Sequence, residues 1–96
     1  MTLGTIPIDI EKIKKSNLNK QILRIGILAE LDAINTYEQL ADMTENKDIK
    51  KLLIEIAKEE KTHVGEFQYL LLELDTQQKK ELEEGKEEVK ELIKNK

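Results

Sequence analysis

The chain has 96 residues with 20 acidic and 16 basic side chains, a net charge of −4, one His, 3% aromatics and no Cys or Trp. That length suits one small domain, marginal alone and inclined to associate. The lack of Cys excludes a disulfide framework, a thiolate metal site and a Cys nucleophile, and the acidic balance argues against nucleic acid as a partner.

The first 15 residues read as an irregular lead-in punctuated by Gly4 and Pro7, with Ser16 as a helix N-cap. No basic residue precedes Lys12, unlike a secretory leader. Apolar runs reach only three or four residues, against the roughly 20 that span a bilayer. The expectation is a soluble cytoplasmic protein with no membrane partner.

Residues 16–75 form the main unit. From about Asn17 to Met43, Leu23, Ile27, Ile34, Tyr37 and Ala41 recur at steps of three, four or seven, one face of a helix. The polar stretch Thr44-Glu45-Asn46-Lys47 breaks that pattern, and Asn46 or Asp48 can cap a second helix over Asp48 to Leu74. Its face carries Ile49, Leu52, Leu53, Ile56, Ala57, Val64, Phe67, Leu70, Leu71 and Leu74. A short connection between two long, matched helices predicts an antiparallel hairpin.

Residues 76–96 differ. Asp75-Thr76 is a good helix start, but Leu82, Val89, Leu92 and Ile93 make a thin stripe among Lys and Glu, interrupted by Gly85. The segment reads as a short C-terminal helix, a docking segment or a linker; a solvated charged tail is the plain alternative.

The informative residues are polar groups set within the apolar stripes. Glu30 lies three after Ile27 and four before Ile34, so it points where they point. On the second helix Glu60 lies four after Ile56, and His63 three after Glu60. A buried, unpaired carboxylate costs several kcal/mol, so protonation, a cationic partner or a metal must stabilise it. Arg24 sits at a poor offset from Glu30, and Lys58 and Lys61 point away from the stripe. A metal accounts for all three groups at once, because Glu-x-x-His on a helix is the i, i+3 ligand pair of carboxylate-bridged di-iron and di-manganese bundles. The competing reading is a partly exposed His beside two rim carboxylates. With 15 Glu in 96 residues, Glu60-Lys61-Thr62-His63 is weak alone; its strength comes from Glu30 falling independently on the partner stripe.

A four-helix di-iron site takes a Glu from each of two helices and a Glu-x-x-His from each of the other two. One hairpin holds half of that set. A two-fold dimer supplies the rest, as an all-α four-helix bundle around two metals.

At these residues, Ala29-Glu30-Leu31-Asp32-Ala33-Ile34-Asn35-Thr36-Tyr37-Glu38-Gln39 and Glu59-Glu60-Lys61-Thr62-His63, the sequence resembles the encapsulated ferritins of the ferritin-like superfamily. The resemblance implies a ferroxidase with an iron centre formed between two chains, dimers joined in a ring-shaped decamer, and an encapsulin shell around the ring in which Fe(III) is stored. Glu30, Glu60 and His63 match the ferroxidase ligands, and Tyr37 matches a tyrosine beside them. Asp32 matches a carboxylate of an outer site that draws metal inward, whereas Ala29 stands where that site has its other carboxylate and cannot bind metal. The segment Glu87 to Leu92 resembles the stretch that leads into the shell in fused members, which implies the N-terminal domain of a fusion. Two other readings stand beside this one: a rubrerythrin-like peroxide reductase, and a helical docking module without chemistry.

Overall fold

The computed structural model describes residues 15–95. Three α-helices follow in order: α1 Lys15–Met43, α2 Lys47–Leu74 and α3 Thr76–Lys94. Among the described residues there is no strand, and no helix is long and apolar enough to cross a membrane. Of the expected lead-in only Lys15 falls within the described residues, and it is already helical. α1 therefore takes Ser16 into its first turn rather than starting after it.

The turn between α1 and α2 is made by its own side chains. Thr44 Oγ1 accepts from the Asn46 amide at 3.2 Å, and Asn46 Oδ1 accepts from the amides of Asp48 and Ile49 at 3.0 Å each. Asn46 is thus the N-cap, satisfying donors that the first turn leaves free, and Asp48 adds negative charge at the positive end of the helix. Only Thr44, Glu45 and Asn46 separate the helices, so α2 must return along α1. The contacts fix the direction: Gly26 meets Phe67, Glu30 meets His63, and Glu38 pairs with Lys61 at 3.2 Å.

The hairpin buries little. Its buried apolar residues, among those described, are Ile34, Ala41, Ala57 and Leu71, two of them alanines. Of the α2 residues expected on one inward face, Ile49, Leu52, Leu70 and Leu74 are instead exposed, at 49–59%. α2 carries two adjoining stripes and α1 covers one. Leu53, Ala57, Val64 and Leu71, at steps of four and seven, face α1. Ile49, Leu52, Ile56, Glu60, His63, Phe67, Leu70 and Leu74, at steps of three or four, run along the edge of the interface. One neighbour cannot cover an apolar arc that wide.

The C-terminal segment is a continuous helix, and Gly85 does not interrupt it. α3 has no packing contact with α1 and little with α2, so Leu82, Val89, Leu92 and Ile93 remain exposed. Asp75 organises its base. The Asp75 amide closes α2 on the Leu71 carbonyl at 2.8 Å, Oδ1 caps α3 by accepting from the Gln78 amide at 3.0 Å, and Oδ2 takes the Arg24 guanidinium of α1 at 2.7 Å. Three helices meet at one residue.

Replacing Asn46 with Ala removes both capping bonds. The expected loss is about 1 kcal/mol, read as a lower urea midpoint with an unchanged slope. Asp75 gives a pH signature. The Gln78 amide, then the Arg24 guanidinium and the Lys20 charge, hold its carboxyl below the ordinary Asp value against the opposing effect of partial burial. A carboxyl lowered in the folded state contributes stability that is complete above its unfolded value, near about 3.9, and is lost as pH falls through the folded one. Helical ellipticity of the wild type should decline below that point, and Asp75→Ala should flatten the decline while lowering stability at neutral pH.

Candidate metal centre

Glu30 projects from the middle of α1, and Glu60 and His63 project from facing turns of α2. Register alone brings them together. His63 Nδ1 lies 3.3 Å from Glu30 Oε2 and 3.3 Å from Glu60 Oε2. One ligand atom from each of the three residues lies within 4.8 Å of the others, and no other such group of His, Cys, Asp and Glu occurs among the described residues.

The trio sits on the edge stripe of α2, so it is half-buried. The side chains of Glu30 and Glu60 are 19% and 18% exposed and that of His63 is 44% exposed. Within one chain these groups stay partly hydrated, and the burial cost expected from the sequence is only partly incurred. Among the described residues no buried side-chain N or O lacks a partner. The nearby cations are engaged elsewhere, as their offsets predicted: Arg24 on Asp75 and Lys61 on Glu38. Neither neutralises the site.

With a proton on Nδ1 the imidazole can donate toward the two carboxylates; with that proton gone, three electron-pair donors converge on one point. Ligands about 2.0–2.2 Å from a single ion stand about 3–4 Å apart, which matches the 3.3 Å between His63 and each carboxylate. Two hard oxygens and one imidazole suit a divalent first-row ion such as Fe or Mn. The residues fit a metal.

Asp32 and Tyr37 are also half-buried on α1. Asp32 lies outside the three-residue group, as expected of a residue two positions from Glu30 on a helix. Tyr37 lies seven residues past Glu30, two turns along the same face. Ala29 is exposed and offers no ligand atom. Sequence reasoning missed the contact beside the trio, where the Phe67 ring lies against Gly26. The available signal was a glycine inside a helix, which weakens the helix unless close approach requires it.

The rubrerythrin family profile matches residues 21–95. The ferritin-like–encapsulin shell fusion protein of Pyrococcus furiosus is 58% identical over 72 residues, 75% of this chain and 21% of that protein. The encapsulin nanocompartment cargo protein EncC of Myxococcus xanthus is 43% identical over 56 residues, 58% of this chain and 43% of that protein. The chain thus spans less than half the length of either relative. The crystal structure of the encapsulated ferritin domain from P. furiosus superposes with a TM-score of 0.80 at 48% identity, covering 96% of this chain and 94% of that one. By sequence and by fold, the chain belongs to the rubrerythrin family of ferritin-like proteins, as a domain of the encapsulated ferritin type.

Proposed function

We propose that this chain is a ferroxidase that oxidises Fe(II) to Fe(III) at a di-iron site shared between two copies, for iron storage inside an encapsulin nanocompartment in the cytoplasm. The observation that carries the reading is the convergence of Glu30, Glu60 and His63 at the open edge of the hairpin. Three donors do not fill the coordination of two ions. A second copy related by a two-fold axis brings its own three, and four carboxylates then balance two divalent cations.

The edge stripe supports the same geometry. Ile49, Leu52, Leu70 and Leu74 flank the trio along α2 and are exposed in the single chain. A second hairpin laid on this stripe covers them and completes a four-helix bundle. Burying the ligands in that way strengthens their hold on an ion, since the field of a carboxylate grows as water leaves.

Iron held there would supply the redox step, each Fe(II) giving one electron to O₂ or peroxide. The chain's residues bind and orient. Glu60 would be the carboxylate held in common by the two ions, with Glu30 and His63 completing the donor set; His63 Nδ1 lies 3.3 Å from both Glu30 Oε2 and Glu60 Oε2. His63 would hold the ion through Nδ1 as the neutral imidazole, with its single ring proton on Nε2. Tyr37 is the tyrosine beside the centre, and Asp32 gives the outer site one carboxylate, unsupported at Ala29. The ring-shaped decamer and the shell partner rest on likeness to the encapsulated ferritin domain and to the two encapsulin-associated relatives. One of those relatives is a fusion with a shell protein, in keeping with this chain acting as the corresponding part of such a fusion.

Glu60→Ala and His63→Ala should each abolish rapid Fe(II) oxidation in stopped-flow absorbance and weaken the assembly; a wild-type rate in either variant overturns the assignment. Adding Fe(II) anaerobically should shift the metal-free protein from monomer or dimer to a larger ring in size-exclusion chromatography with light scattering. Peroxide turnover without mineral formation would instead favour a rubrerythrin-like peroxide reductase.

A further inference from the structure

Gly26 and Phe67 face each other across the hairpin one turn from the trio. Gly26 is four residues before Glu30 on α1, and Phe67 is four after His63 on α2. The ring occupies the space a side chain at position 26 would need. A Cβ there would stand 2.8 Å from Cε1, 2.9 Å from Cδ1 and 3.0 Å from Cζ, against about 3.5–4.0 Å for carbon atoms in contact. Gly65 and Gly85 have nothing within 4 Å of the same position, so Gly26 alone of these three is required by a contact. Phe67 also belongs to the edge stripe that carries Glu60 and His63, not to the stripe of Ala57 and Leu71 that forms the core.

We propose that Gly26 and Phe67 are a positioning pair for the metal site: the ring, seated on bare α1 backbone, sets the spacing and register at which Glu30 meets His63. The inference rests on the reading of the trio as metal ligands. Its size can be judged. A methyl at position 26 must gain about 0.7 Å to reach ordinary contact, and productive site geometry is held to within about 0.5 Å. If the ring yields, it moves on the stripe beside His63; if the backbone yields, α1 carries Glu30 away. Either route disturbs the trio.

The test is a Co(II) titration of the full chain, followed by visible absorption, for the wild type, Gly26→Ala, Phe67→Leu, the double variant, Gly65→Ala and Glu60→Ala. Gly26→Ala and Phe67→Leu should each weaken Co(II) binding roughly tenfold, as supporting residues of metal sites do, and should change the d–d spectrum. The double variant, which exchanges ring volume for a methyl, should recover most of both. Gly65→Ala, with open space, should bind as the wild type and melt higher. Wild-type affinity and spectrum in Gly26→Ala, even with a lower melting temperature, overturns the proposal; should that variant not fold, the same result in Phe67→Leu does so. If Glu60→Ala binds Co(II) as well as the wild type, the reading of the trio itself has failed; if Glu60→Ala loses binding while Gly26→Ala keeps it, only the positioning pair has failed.

Discussion

The His63 imidazole between Glu30 and Glu60, and the Phe67 ring on Gly26, lie one helical turn apart and demand the same register of α2 against α1. A helix slips past its neighbour in steps of about a turn, roughly 5.4 Å, and one such step would set His63 opposite Gly26 or Ile34 in place of Glu30. The short turn capped by Asn46 fixes the start of α2, and the ring against the glycine fixes the pairing midway along. The spacing of Glu30, Glu60 and His63 depends on that shared register, to which their own 3.3 Å contacts also conform.

The same register leaves the hairpin unfinished. A hairpin whose buried apolar residues, among those described, are Ile34, Ala41, Ala57 and Leu71 has little transfer free energy with which to offset the ordering of two long helices. The uncovered stripe on α2 and the half-buried Glu30, Glu60 and His63 are one surface. A second copy placed there would relieve the exposure of Ile49, Leu52, Leu70 and Leu74 and supply the missing donors together, so assembly and metal binding should be linked by mass action, each favouring the other.

α3 adds a separate element. Its footing is polar rather than apolar: Asp75 closes α2, caps α3 and holds Arg24 of α1. The carboxylate accepts from two of these partners, Gln78 on Oδ1 and Arg24 on Oδ2, while the backbone amide of the same residue donates the bond that closes α2. The direction in which α3 leaves the hairpin is therefore set by hydrogen bonds at one residue, while Leu82, Val89, Leu92 and Ile93 of its own apolar stripe are exposed.

Much was legible in the sequence because helical periodicity, caps and breakers are local. The spans of α1 and α2, a cap for α2 at Asn46 or Asp48, the start of α3 at Asp75 and the placing of Glu30, Glu60 and His63 on apolar stripes all follow from spacing along one chain. Other features were not legible, since they depend on how wide an arc one helix covers on another and on which side chains meet across it. Those features are the division of α2 into a covered and an open stripe, the partial hydration of the trio, the Arg24–Asp75 tie and the seat of Phe67 on Gly26. The sequence by itself determined which residues could bind a metal; only the tertiary structure decided that they converge at an open edge, because convergence is a property of the register between two helices and not of either helix alone.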